Sequence, residues 1–374
     1  MQTARYLTLI GFAISLAGRS LTADPGDVIP PELVLQRFQV NKAGDALLVP
    51  VKISGKNRLF LVDTGCTRTA IHLDLLVGKP EKYIMASTLA GHVEIGLYHP
   101  PDGLTLGLDL VLGMDLKPQQ ESWGYPIEGI LGMDFLHRYI MNIDFDRGEL
   151  LFLKSIPKDS GKAVKFRWNA LGLPVLEAPL LPEKTLPVMI DTGFGGLYSG
   201  ALVRSSLRKS QDFQKVGSTL KMTAMGIHRF SLYRGKRISL NGFDIDEPIF
   251  AESSTDISVV GLGFLSRFVV TFDFPNQKIY LKNGRDFHRP DLQDLSGMKL
   301  IRKNGLVSIH TVDNGSAASS AGLHSNDVLL QIGTRRTEEM SLLDVQKALS
   351  QAGSLRCTII HDSTERTLTL NLSP

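Results

Sequence analysis

Two short phrases in this chain each end an apolar run on a carboxylate. "LFLVDTG" (Leu59 to Gly65) leads four apolar residues into Asp63, Thr64 and Gly65. "LPVMIDTG" (Leu186 to Gly193) leads into Asp191, Thr192 and Gly193 in the same way. A single Asp-Thr-Gly reads as a turn. Two of them, each behind an apolar strand, ask for a shared purpose. If the two loops meet, Asp63 and Asp191 face each other, and two carboxyls that close cannot both ionise cheaply. The pair then keeps one proton over a wide pH range. One member can serve as base and the other as acid. A water between them loses a proton to the carboxylate and attacks a peptide carbonyl, while the carboxyl protonates the carbonyl oxygen. That chemistry needs no metal, no cofactor and no covalent intermediate. Thr64 and Thr192 can hydrogen-bond across the axis, and Gly65 and Gly193 permit close approach.

The elements that would position these residues are written twice. Asp191 lies 128 residues after Asp63. "GILGMDFLHRYIMNIDFDRGELLFL" (Gly129 to Leu153) aligns with "SVVGLGFLSRFVVTFDFPNQKIYL" (Ser258 to Leu281), and here the spacing is 129. "STLAGHVEIGLY" (Ser87 to Tyr98) resembles "TAMGIHRFSLY" (Thr223 to Tyr233), and "LTLGLDL" (Leu104 to Leu110) resembles "ISLNGFDI" (Ile238 to Ile245). The unit is far longer than a solenoid repeat of roughly 20–50 residues. It therefore predicts two similar lobes. Alternating apolar residues around Ser54-Gly55, Asp146–Gly148 and Pro275-Asn276 predict hairpins, so both lobes are expected to be mainly β, as partly closed sheets. Asp144 and Asp273 repeat as well and read as solvated strand ends.

The pattern of apolar-apolar-Asp-Thr-Gly followed by apolar-apolar-Gly (Ile130-Leu131-Gly132 and Val259-Val260-Gly261), twice in one chain, resembles the pepsin/retropepsin clan of aspartic peptidases. The likeness covers about Gln36 to Lys282 and is nearest to a fused pair of retropepsin units, as in bacterial aspartyl peptidases. It implies a bilobal acid-protease fold, Asp63 and Asp191 as catalytic residues, and Thr64, Gly65, Thr192 and Gly193 as their supporting loops. It also implies a glycine-bearing flap over the substrate, with Gly91 in "TLAGH" and Gly226 in "AMGIH" as candidates; the alternative is a pair of ordinary hairpin tips. The clan carries Ser, Thr or Ala after the Gly, whereas this chain has Cys66 and Phe194. Cys66 reads as a small buried residue or, alternatively, as a reactive thiol. Phe194 donates no hydrogen bond from its side chain, which predicts a dyad whose acid limb is shifted upward.

After Asp286 the pattern changes. "MKLIRKNGLVSIHTV" (Met298 to Val312) predicts two strands about Asn304-Gly305, "SAASSAGL" a short helix, and "SLLDVQKALSQAG" (Ser341 to Gly353) an amphipathic helix capped by Ser341. With "SAGLHSNDVLLQIG" at its centre, this order resembles a bacterial PDZ domain. The resemblance implies a peptide groove between Met298–Arg302 and Ser341–Ser350. The loop Gly297, Met298, Lys299 and Leu300 would face a terminal carboxylate, with Lys299 standing where such loops carry Gly. The alternative is a module that only packs against the lobes.

Composition narrows the rest. The chain has 374 residues, and its net charge of +3 and absence of any basic run argue against nucleic acid. Arg5, the apolar run Tyr6 to Gly18 and "LTA" before Asp24 read as an export signal, with an uncleaved anchor or a buried helix as the alternatives. No later segment reaches spanning length. Cys66 and Cys357 give no disulfide framework, and no His-Glu-x-x-His or Cys/His cluster supports a metal. The expected organisation is a signal peptide at 1–23, lobes at 24–157 and 158–290, and a PDZ domain at 291–374. The expected function is an exported (periplasmic or secreted) endopeptidase whose partner is a peptide or protein substrate. The alternatives are a non-catalytic peptide-binding protein that keeps the cleft, and a dimer using one aspartate per chain.

Overall fold

The computed structural model describes residues 29–41, 46–88, 91–181, 184–223, 226–253 and 256–373. The export-signal reading of 1–23 and the flap tips at 89–90 and 224–225 lie outside the described residues. Among those described, no helix is long and apolar enough to cross a membrane.

The first repeat unit contains β1 (Val34–Gln39), β2 (Leu48–Ile53), β3 (Lys56–Val62), β4 (Ala70–His72), β5 (Lys82–Thr88), β6 (Gly91–Tyr98) and β7 (Val111–Met114). Then come α1 (Lys117–Trp123), β8 (Ile127–Leu131), α2 (Met133–Leu136), β9 (Ile140–Asp144) and β10 (Glu149–Leu153). The second unit contains β11 (Lys162–Lys165), β12 (Arg167–Trp168), β13 (Pro174–Leu181), β14 (Lys184–Ile190), β15 (Gly200–Val203), α3 (Arg204–Lys209) and β16 (Phe213–Thr223). It continues with β17 (Gly226–Gly235), β18 (Arg237–Leu240), β19 (Phe243–Asp246), β20 (Ile249–Ser253), β21 (Val259–Val260), α4 (Leu262–Leu265), β22 (Phe268–Asp273) and β23 (Lys278–Asn283).

The expected duplication is visible in the strand order. One sheet runs β2-β3-β8-β4-β7-β6-β5 and its counterpart β12-β13-β14-β21-β15-β20-β17-β16, the same path with one added strand. The period-2 alternation behind the prediction is real: β2 buries every second residue, and the turn to β3 uses positive φ at Ser54 and Gly55.

The lobes are not separate sheets, however. A third sheet, β1-β10-β9-β22-β23-β11, belongs to both. Its central pair β9·β22 is antiparallel, with Asn142 opposite Thr271, its own repeat equivalent, and the Asn142 amide donates to Thr271 Oγ1 at 2.9 Å. A pseudo-two-fold axis therefore passes through this pair, and one hydrophobic core spans both repeats. The likeness of Leu104–Leu110 to Ile238–Ile245 fails structurally, because only the second copy forms a hairpin, β18–β19. Asp144 and Asp273 are buried rather than solvated. They cap the turns that follow, accepting from the Arg147 amide at 3.0 Å and the Asn276 amide at 3.3 Å.

The C-terminal module contains β24 (Met298–Lys303), β25 (Leu306–Val312), α5 (Ala317–Ser320), β26 (Val328–Ile332), β27 (Arg335–Arg336), α6 (Leu342–Ala348), β28 (Gly353–His361) and β29 (Thr364–Leu372). Its sheet runs β24-β25-β26-β28-β29 over a separate core. Ser341 caps α6 through the Asp344 amide as expected. The helix stops well short of Gly353, which instead opens β28 with a φ of +130°. Asp291 is still fastened to the second lobe, accepting from the Ser199 and Ile249 amides at 2.8 and 2.7 Å and pairing with buried Arg267 at 2.6 Å. With three donors that carboxylate is satisfied, which is what a buried ion pair needs to offset its desolvation. Leu295 is the first residue packed on the module's own core.

Candidate active site

Apolar β3 and β14 carry Asp63 and Asp191 to the axis from opposite sides, and the two loops are tied by mirrored hydrogen bonds. The Asp63 amide donates to Leu131 O and the Asp191 amide to Val260 O, both at 3.0 Å. Met133 N donates to Cys66 O and Leu262 N to Phe194 O, both at 2.8 Å. The apolar-apolar-Gly segments thus hold the loops from behind.

Across the axis the threonines interlock. The Thr64 amide donates to Thr192 Oγ1 and the Thr192 amide to Thr64 Oγ1, both at 3.0 Å. Thr64 Oγ1 donates to Ile190 O at 2.7 Å and Thr192 Oγ1 to Val62 O at 2.8 Å. Both side chains have no exposed surface. Every polar atom in this cross is satisfied, so neither loop can shift without orphaning buried groups of the other.

The carboxyls sit on opposing glycines. Asp63 Oδ1 accepts from Gly65 N at 2.7 Å and Asp191 Oδ1 from Gly193 N at 2.8 Å. A methyl placed on Gly65 would fall 2.5 Å from Asp191 Cγ, and one on Gly193 would fall 2.4 Å from Asp63 Cγ. No residue with a side chain fits at either position. The two carboxyls lie close enough across the axis for each to act on the other's titration. Burial first, then the charge of Asp191, holds Asp63 well above the usual carboxylate range. Burial also raises Asp191, against the hydrogen bonds from Asp63 and Gly193 N and the cation of Lys221.

Lys221, on β16, was missed by the sequence reading. Its ammonium lies 3.6 Å from the Phe194 ring centroid and 4.9 Å from that of Tyr198, and donates to Gly195 O. Burial pulls its pKa down to about 7 although Asp191 works in the other direction. The Phe194 side chain thus gives Asp191 no donor, although its amide donates to Asp191 O at 3.3 Å, and its ring seats a cation beside the carboxyl. At Cys66, burial and then Asp63 push the thiol well above its normal range, the opposite of what a reactive thiol needs.

The two aspartates line a cavity of about 640 Å³. Ile84, Met85 and Ala86 from β5 wall one side, and Thr219, Leu220, Lys221 and Ile227 from β16–β17 the other. The hairpins bearing Gly91 (φ +147°) and Gly226 (φ +99°) therefore both border this cavity. Helix α1 supplies Gln119 and Trp123, with Tyr125 just beyond it. The wall continues onto the C-terminal module through Leu300, Ile301, Leu342, Leu343 and Gln346. A clasp fixes the module to the second hairpin: Arg229 donates to Asp313 Oδ1 at 2.9 Å and to Thr311 Oγ1 at 2.7 Å. Lys299 is buried and pairs with Asp313 at 2.9 Å. Burial of Asp313 works upward, but its bonds to Arg229 and Lys299 prevail and hold it below the usual range.

One grouping with metal-ligand chemistry does exist among the described residues, although the sequence spacing gave no sign of it: His324, Asp327 and His361. Asp327 accepts from the His324 amide at 2.9 Å and contacts His361 Nδ1 at 2.6 Å. Both of its oxygens are thereby engaged, which suits a brace between β26 and β28.

Residues 287–360 match the family model of the PDZ domain. No curated protein matches the chain.

Proposed function

We propose that this chain is an aspartic endopeptidase of the two-lobed retropepsin-like type, with the PDZ domain as its peptide-docking module. The single observation that carries the reading is the reciprocal pairing of two repeated loops, which sets the Asp63 and Asp191 carboxyls each against the glycine of the other's loop under a cross of buried threonines.

In this reading a water held between the carboxyls gives its proton to the ionised one as its oxygen attacks the peptide carbonyl carbon. The protonated carboxyl delivers its proton to the carbonyl oxygen, forming a gem-diol. Proton return to the nitrogen breaks the C–N bond and frees two peptides. Apolar β5, β16 and β17 side chains favour apolar residues around the scissile bond and keep bulk water from it. Asp63→Asn or Asp191→Asn should lower cleavage of a mixed peptide library by about 10²–10⁴-fold. Full activity in either variant would overturn the mechanism.

A second reading, peptide binding without turnover, is favoured by Phe194 and Lys221 beside Asp191. It predicts library peptides bound but uncut between about pH 3 and 7. Export is proposed on residues 1–23 alone, and N-terminal sequencing of the mature protein tests it.

A further inference from the structure

The peptide groove of the PDZ domain and the aspartate cleft are not separate features. A second cavity, of about 190 Å³, lies where Gly297, Met298 and Lys299 face the second lobe. It shares five wall residues with the larger one: Tyr198, Thr219, Leu220, Leu300 and Gln346. The larger cavity then continues past Ile301, Leu342 and Leu343 to Asp63 and Asp191. At the junction the Tyr198 hydroxyl is buried beside Thr219.

The direction of travel follows from the elements. β24 is an edge strand, so an extended peptide can add beside it. The loop 297–300 leads into β24, so its backbone amides place a terminal carboxylate at that end. A peptide with its last residue there must run antiparallel to β24. Its upstream residues then pass Leu300 and Ile301 against Leu342 and Leu343, the side on which the larger cavity opens. Helix α1 packs against β24, and Gln119, Trp123 and Tyr125 make the wall between groove and aspartates.

We infer that one substrate chain occupies both sites at once. Its free, apolar C-terminus is held in the PDZ groove while a bond a fixed number of residues upstream is presented to Asp63 and Asp191. This rests on the hydrolytic reading above and adds a substrate class to it: extended peptides with an unblocked apolar C-terminus, cut at a distance measured from that end. The lining sets the preference for an apolar terminus, since Leu292, Leu295, Met298 and Leu300 line the cavity at that end.

Two experiments on the full chain test this. In the first, peptides of one internal sequence receive C-terminal tails lengthened one residue at a time, each as free acid and as amide. The inference expects the cut to move with the terminus, leaving a C-terminal product of constant length, and expects amidation to raise KM about tenfold or more. Cuts that stay at one internal sequence and ignore amidation would overturn it and leave the peptidase reading standing.

The second uses the Asp191→Asn chain and free-acid peptides bearing a photoreactive residue at successive positions. Labels near the terminus should map to 298–301 and 342–346, and labels further upstream to α1 and the two hairpins around the cleft. Upstream labels confined to the PDZ domain or the outer surface would overturn the threading. If the upstream labels reach the cleft while the wild-type chain cuts no peptide, the threading stands and the peptidase reading falls.

Discussion

Replacing Thr64 by valine isolates the device that holds the two carboxyls together. Valine matches threonine in shape, so packing is nearly conserved. What disappears is a hydroxyl that donates to Ile190 O at 2.7 Å and accepts from the Thr192 amide at 3.0 Å. Both partners stay buried with nothing to replace it. A buried polar group left without its partner costs about 1–3 kcal/mol, so two of them give about 2–6 kcal/mol. Thr64→Ser keeps the hydroxyl and loses one buried methyl, about 1 kcal/mol. Urea unfolding followed by tryptophan fluorescence is the assay. Trp168 lies in the second lobe, and Trp123, on α1 against the PDZ domain, is replaced by phenylalanine throughout so that the signal is free of the PDZ transition. The Thr64→Val midpoint should fall well below that of Thr64→Ser. In a double-mutant cycle, Thr64→Val with Thr192→Val should cost less than the sum of the singles, because the first change already loosens the contact that the second disrupts. A Thr64→Val variant as stable as Thr64→Ser, or strict additivity, would refute the interlocked cross.

Other outcomes follow from the site's electrostatics. Lys221→Met removes a cation that favours ionised Asp191. The acid limb of kcat/KM against pH should move upward, and any inflection near pH 7 from the lysine, whose pKa is about 7, should vanish; an unchanged profile contradicts this. Asp63 is raised in the folded state, so its contribution to stability is fully present below the ordinary carboxylate pKa and is lost as pH rises through the folded value. Asp63→Asn should therefore leave the lobes more stable than wild type at neutral pH but not in acid, as read by the same urea titration. Asp313 has the opposite sign. Held below its usual range, it supports the clasp above that range and releases it as pH falls through the depressed value. Because both side chains of the pair are partly exposed, Arg229→Ala should cost no more than about 1 kcal/mol. Hydrogen exchange should nevertheless quicken in β16–β17 and β25, and its acid-side acceleration should be lost.

The repeat was legible because the chain writes its local chemistry twice. Apolar strands, Asp-Thr-Gly and apolar-apolar-Gly are short-range signals, and turn pairs such as Ser54-Gly55 and Asn304-Gly305 announce hairpins through the positive φ they accept. The threonine cross followed from the same symmetry. What stayed hidden depended on pairing across long separations. Nothing near Asn142 says that it meets Thr271, so the sheet common to both lobes was not foreseen. Lys221 sits between Leu220 and Met222, and a lysine within a strand reads as a solvated position. Only the fold shows it lying over Phe194. Its alternation with Thr219, two residues away on the same strand, was the available clue. Asp144 and Asp273 were noticed, but a polar residue at a strand end reads equally as solvated or as a turn cap, and burial decided it. The C-terminal groove was legible as a module, while its opening into the cleft depends on the α1 wall and on the Arg229–Asp313 clasp, whose partners lie 84 residues apart.

The central claim concerns a proton. Chain labelled with ¹³C at aspartate carboxyls, titrated by NMR and assigned with Asp63→Asn and Asp191→Asn, reads its location directly. The account predicts two coupled steps for the pair, with one proton retained well above the ordinary carboxyl pKa of about 4, and with either variant collapsing them to a single step. Two carboxyls titrating independently in the ordinary range would contradict it.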